Sequence, residues 1–254
     1  MKLIVVDGGK GGVGKSYIAT AVADRLLAAG GRVAAIDGDT TNPDFARTLQ
    51  SDEVPTAITT LSSEESVSEM LALLEQFAEG GTEYVVLSLA AGISGIEDLR
   101  AIAAEALEEM NVEVVTLFVL SKLPDSVNLA SRSHQRGWAS LAHAKIAITN
   151  GLFGPPEDFT RWRESSARQE WLADGGLEAH VRELYYRTAD AIRESASLPS
   201  EILPALSTVY RIQLNHWLRE FDERVMRPAG LPCPPPPATA RDGEEQQERE
   251  EAAA

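Results

Sequence analysis

An α/β domain built on a doubly wound, mainly parallel sheet is the fold class this sequence predicts, and three observations predict it. Short apolar, β-branched runs recur through the first 150 residues, helix-forming stretches separate them, and the runs are apolar on both faces. Residues 2–6 form the first run and end at a glycine cluster. Residues 16–29 follow with Ile18, Val22, Leu26 and Ala29 at helical spacing, so the chain opens as strand, loop, helix. Further strands are expected at 33–36, 84–89, 112–120 and 146–149, with helices at 66–78, 96–110 and 126–141 between them. That alternation implies right-handed crossovers and parallel pairing.

Beyond Asn150 the text becomes mostly helical, with candidates at 164–172, 181–195 and 201–226; Pro199 and Pro204 blur the start of the last. Residues 1–227 are expected to form one domain. Residues 228–254 are expected to be a disordered Pro-rich, acidic tail, because the Pro-Cys-Pro-Pro-Pro-Pro stretch and the Glu/Gln/Ala ending lack the apolar residues that offset chain entropy.

Composition narrows the function classes. The 254 residues are 44% apolar and 24% charged, with a formal charge of −16, and the body without its tail stays strongly acidic. Such a surface repels nucleic-acid backbones and anionic lipid, so direct DNA binding is disfavoured. Cys233 is the single cysteine, which rules out an intramolecular disulfide and a Cys-based metal site. There is no apolar run of the roughly 18 residues that would read as a membrane span, and the opening segment is too short and too soon acidic for a secretory signal, so a cytoplasmic location is expected.

The glycine cluster carries the chemistry. Gly9, Lys10, Gly11, Gly12, Val13, Gly14, Lys15 and Ser16 satisfy G-x-x-x-x-G-K-[ST] between an expected strand and an expected helix. Phosphate oxygens need several backbone N–H donors converging from a tight loop, which glycines permit, and the helix N-terminus adds a favourable dipole. Lys15 would neutralise β and γ phosphates, and the Ser16 hydroxyl would complete the coordination of a Mg²⁺ ion that keeps several of its waters. The expected ligand is Mg-ATP: Lys122 and Asp125 have the wrong spacing for a guanine-reading Lys-x-Asp pair.

A second lysine, Lys10, in Lys-Gly-Gly-Val-Gly-Lys-Ser makes the loop resemble the deviant Walker A motif of the ParA/MinD family of P-loop ATPases. The resemblance implies that Lys10 reaches across an ATP-dependent homodimer to the partner's phosphates; the alternative is that it adds charge beside its own. Asp37-Gly38-Asp39 after the second strand is similar to the family's Asp-x-Asp segment. By that match Asp39 positions the attacking water and Asp37 supports Mg²⁺, while the plainer reading is an Asp-rich turn capping the next helix. Ser88 stands where the family's Walker B aspartate is usual, so either Asp37 supplies the charge or hydrolysis is slow. The run Ala147-Ile148-Thr149-Asn150 resembles the family's strand ending in a base-contacting asparagine, with a turn before Gly151 as the equal alternative for Asn150.

The phrase Asp-Gly-Asp-Thr-Thr-Asn-Pro-Asp, with Asn-Gly-Leu-Phe-Gly and the Trp162 stretch beyond it, most resembles plasmid StbB-like stability and mobilisation ATPases within that family. The function implied is an ATP-dependent dimerising switch, acting through an adaptor protein on plasmid or other cargo. The rivals are a small-molecule amidoligase or kinase of the dethiobiotin synthetase type, and a nucleotide-binding scaffold that has lost hydrolysis. His134, His143, His180 and His216 lack metal-ligand spacing, the tryptophans read as packing residues, and the last helix runs into an acidic tail, unlike a membrane anchor.

Overall fold

The computed structural model describes residues 1–49, 54–92 and 95–235. Leu3, Ile4, Val5 and Val6 supply apolar side chains to both sides of β1 (Lys2–Asp7), and period-two alternation sends Ile4 and Val6 into one core and Leu3 and Val5 into another. The chain continues through α1 (Lys15–Ala28), β2 (Val33–Asp37), α2 (Asp44–Thr48), β3 (Thr56–Ile58), α3 (Glu64–Glu79), β4 (Tyr84–Ser88), α4 (Arg100–Glu109) and β5 (Glu113–Leu120). It ends with α5 (Pro124–Arg136), β6 (Ala144–Asn150), α6 (Thr160–Arg163), α7 (Ser166–Ala173), β7 (Leu177–Val181), α8 (Tyr186–Ser195) and α9 (Thr208–Phe221).

The sheet has seven strands in the order β3-β2-β4-β1-β5-β6-β7, and each pairing among the described residues is parallel. β1 lies at the centre between β4 and β5, where the winding reverses; a crevice at the carboxyl ends of the strands is expected at such a point. The loop after β1 emerges there. Helix α1 and the C-terminal helices cover one face, through Ile18, Val22, Leu26, Trp217, Leu218 and Phe221. Helices α3 and α4 cover the other through Val67, Met70, Leu74, Ala103 and Leu107.

Three expectations need correction. The edge strands β3 and β7 were not legible, and Val181, expected to open a helix, closes β7 instead; the helix begins at Tyr186. The last helix is shorter than expected, running over Thr208–Phe221 and passing into a π-type turn at Asp222–Met226. The expected boundary at residue 227 is passed by the packing, since Ala229 and Leu231 are buried in the core. The rest of the expected tail, 236–254, lies outside the described residues.

The C-terminal part is locked to α1 by a buried ion pair. Arg25 Nε donates to Asp222 Oδ1 at 2.9 Å and Arg25 Nη2 to Asp222 Oδ2 at 2.8 Å. Beside it, the fully buried Asp24 accepts the Ser200 backbone N–H at 2.8 Å. Tyr17, one residue beyond Ser16, meets Trp217 edge to face at 5.4 Å, and Trp217 Nε1 donates to the Arg182 carbonyl at 2.7 Å. The helix that follows the phosphate loop is thereby seated on α9.

Candidate functional site

Backbone conformation explains the glycines of the loop. Gly14, with φ of 99°, ends it as the N-cap of α1, and a Cβ there would sit 2.4 Å from Asn150 Nδ2. Gly9 has φ of 59°, and its Cβ would sit 2.4 Å from Leu129 Cδ1. A side chain at either place meets both strain and collision. The tip is different: Gly11 and Gly12 are exposed, and a Cβ on Gly12 would have nothing within 4 Å. Among the described residues no side chain caps α1, which leaves its first N–H groups at the mouth of this open cradle.

Charged groups converge on the loop from α1 and from the ends of β1 and β2. Lys15 is buried, and its Nζ donates to the Lys10 carbonyl at 2.6 Å, spanning the loop from inside. Burial holds the Lys15 ammonium below its ordinary pKa, against the opposing pull of Asp7 and Asp39. At the end of β2, Asp37 Oδ1 accepts the Asp39 N–H and Asp37 Oδ2 the Ala46 N–H, each at 3.0 Å. This carboxylate therefore organises its own turn and the start of α2, as the plainer reading supposed, and burial raises its pKa. Asp39 Oδ1 accepts the N–H groups of Thr41 and Asn42 at 3.1 and 3.0 Å. Ser88 is buried and pairs in register with Asp37 on the neighbouring strand, so the hydroxyl and the carboxylate lie on the same face of the sheet at the carboxyl ends of β4 and β2.

Asn150 is buried at the end of β6 with both ends of its amide engaged. Nδ2 donates to the Val13 carbonyl at 2.7 Å, and Oδ1 accepts the Leu152 N–H at 3.0 Å. Its observed employment is as an anchor of the phosphate loop and of the turn into Gly151.

Sequence reasoning missed a second set of residues that hold the loop from behind. Asp7, the last residue of β1, is buried; its Oδ1 accepts the Gly8 N–H at 2.6 Å and its Oδ2 the Ser133 hydroxyl at 2.9 Å. Burial raises its pKa, while these hydrogen bonds and Lys15 partly restrain the rise. At the tip, Lys10 Nζ lies 2.5 Å from Asp125 Oδ2. With Leu129 against Gly9, helix α5 touches the loop through Asp125, Leu129 and Ser133, spaced four residues apart on one face. That spacing is visible in the sequence; which way the face points is set by β5 and its neighbours.

These donors fit a nucleoside triphosphate and a magnesium ion. The cradle is open where phosphate would sit, a buried lysine lines it, and Ser16 with Asp37 offers one hydroxyl and one carboxylate, the sparse set that magnesium accepts when it keeps its waters. Among the described residues no cluster of three or more His, Cys, Asp or Glu could hold a metal by itself. No helix among them is long and apolar enough to cross a membrane.

Residues 4–142 match the family model described as the CobQ/CobB/MinD/ParA nucleotide binding domain. The chain belongs to that family. Among curated proteins it is similar to protein MobD of Acidithiobacillus ferrooxidans, 25% identical over 219 residues that cover 86% of this chain and 93% of MobD. Among solved structures it shares its fold with the septum site-determining protein MinD complexed with Mg-ADP from Pyrococcus horikoshii OT3. There the TM-score is 0.55 at 16% identity, covering 88% of this chain and 96% of that one. It also shares its fold with the ATP complex of a Cyanothece McdA variant, with TM-score 0.51 at 15% identity over 91% and 97% of the two chains. The matched part of this CobQ/CobB/MinD/ParA domain contains the loop, Asp37, Asp39, Ser88 and α5, whereas Asn150 lies beyond it.

Proposed function

We propose that this chain is an ATP-binding, slowly hydrolysing switch whose ATP-bound form is a homodimer, and that it works in the cytoplasm on plasmid or other cargo through an adaptor protein. The observation that carries the reading is the division of labour between the two lysines of the loop. Lys15 is buried within the cradle, whereas the Lys10 side chain lies outside it and pairs with Asp125, so Lys10 is not committed to the phosphates of its own cradle. Membership of the family supports nucleotide binding, and the Mg-ADP and ATP complexes of the two fold relatives support ATP and magnesium as the ligands. The acidic surface favours an adaptor over direct contact with DNA.

In this mechanism the loop amides of Gly11, Gly12, Val13 and Gly14 bind phosphate oxygens, and Lys15 leaves the Lys10 carbonyl to neutralise them. Magnesium, when bound, would supply positive charge that offsets the phosphate charge, and Ser16 and Asp37 are the residues that would hold it. Asp39, fixed by the N–H groups of Thr41 and Asn42, orients the attacking water. Ser88 brings no charge to the place beside Asp37, and that favours slow turnover or, as a second reading, a nucleotide-binding scaffold without hydrolysis. On the switch reading, Asn150 serves the base only through the loop it anchors.

The test is molar mass by light scattering with no nucleotide, with ADP and with a non-hydrolysable ATP analogue, together with ATP turnover for wild type, Lys10→Ala and Asp39→Ala. A dimer with the analogue alone, lost in Lys10→Ala, and turnover lost in Asp39→Ala are expected. Mass independent of nucleotide, with Lys10→Ala behaving as wild type, overturns the switch in favour of a small-molecule enzyme on this fold.

A further inference from the structure

Lys10 is tethered twice within its own chain, once by its backbone and once by its side chain. Its carbonyl accepts from Lys15 Nζ at 2.6 Å, and its ammonium is paired with Asp125 Oδ2 at 2.5 Å. The first tether is one that phosphate can release, because Lys15 is already inside the cradle and needs only to turn toward an arriving anion. The second is out of reach of that motion: Asp125 sits in the first turn of α5, where a carboxylate is favoured by the helix dipole, and α5 is fixed against the loop by Leu129 on Gly9 and by the Ser133 hydroxyl on Asp7. A lysine held on its own α5 is unavailable to a second copy.

We propose that Asp125 is a positioning residue, a latch in cis that withholds Lys10 from the partner until nucleotide and a second copy compete it away. The proposal rests on the trans role of Lys10 given above. An ion pair with the two side chains 37% and 60% exposed is weak by itself, worth about a 1.5- to 5-fold bias at ordinary salt. A symmetric dimer must open two of them, so the bias multiplies to about 2- to 25-fold in the dimer dissociation constant. The latch therefore sets a threshold of protein concentration and leaves the chemistry of the cradle untouched. Salt loosens it, since both partners face water.

The experiment compares wild type, Asp125→Asn and Asp125→Glu in two measurements. The first is the rate at which an amine-reactive acylating reagent modifies Lys10 in nucleotide-free protein, read by peptide mass spectrometry with Lys122 as internal reference. Asp125→Asn should speed modification about 1.5- to 5-fold, Asp125→Glu should restore the slow rate, and high salt should remove the difference. The second is the dimer dissociation constant with a non-hydrolysable ATP analogue, by sedimentation, where Asp125→Asn should be tighter by about 2- to 25-fold. Equal modification rates in wild type and Asp125→Asn overturn the latch whatever the oligomeric state. Faster modification together with an unchanged or weaker dimer also overturns it as a control on assembly. A wild type that stays monomeric with the analogue counts against the switch itself, and the acylation rates then still decide whether the pair exists.

Discussion

Replacing Asn150 by Ala separates two roles for that residue. The substitution removes the 2.7 Å hydrogen bond to the Val13 carbonyl and the 3.0 Å bond from the Leu152 N–H, and nothing in the shortened side chain replaces them. Leaving a buried polar group without its partner costs about 1–3 kcal/mol. The Val13 carbonyl belongs to the phosphate loop, so that free energy comes out of the population of loop conformations able to bind, and apparent affinity falls by about 5- to 150-fold at most. A loop anchor acts on whatever the loop holds: ATP, GTP and inorganic tripolyphosphate should all weaken by the same factor, measured by calorimetry in magnesium buffer. If ATP weakens while tripolyphosphate does not, or if the ratio of ATP to GTP affinity changes more than about threefold, Asn150 reads the base and the anchor argument fails.

Arg25→Met should cost about 3–5 kcal/mol, because it leaves Asp222 and the adjoining Asp24 buried without their cation. For a domain of this size that is a fall of about 6–20 °C in Tm by scanning calorimetry. The double variant Arg25→Met with Asp222→Leu should recover most of it, and a single-variant loss under about 1 kcal/mol would show that the pair contributes little. Asp7 keeps its proton to higher pH in the folded chain than in the unfolded one, since burial raises its pKa above the ordinary 3.8. Ionising it therefore costs stability as pH rises through the native value, and that cost is relieved as pH falls toward 3.8. The Tm of Asp7→Asn minus that of wild type should grow more positive with rising pH; a difference flat between pH 4 and pH 8 would remove the electrostatic account.

The parts of the fold that could be read in advance are those whose burial is two-sided. β1, β2, β4, β5 and β6 are near-continuous apolar runs because both faces of a central parallel strand are covered. Thr56-Ala57-Ile58 and Leu177-Glu178-Ala179-His180-Val181 lie at the two edges, carry polar or exposed side chains and are short, so neither announces a strand. Within the site, Gly9 to Ser16 were legible because a phosphate cradle needs adjacent residues of fixed type. Asp7, Asp125, Leu129 and Ser133 were not, since their roles arise only when α5 is laid beside the loop by the pairing of β1 with β5. Asn150 was legible as a residue at the crevice but not in its contact with Val13, which lies 137 positions away along the chain.

The central place of β1 has a consequence for how the protein is made. Lys2 pairs with Tyr84 on one side and Glu113 on the other, so β1 gains its two neighbours only after β4 and then β5 have been synthesised. The phosphate loop cannot acquire its anchor before Asn150 has been synthesised, nor can Arg25 find its carboxylate before Asp222. Until β4 is made an apolar strand waits without a partner, and until Asp222 is made a buried-to-be arginine does, a period in which nascent chains are exposed to misassociation. Nucleotide binding is therefore gained only after Asn150 has been synthesised, and a ribosome-bound chain able to retain ATP has already closed the middle of its sheet.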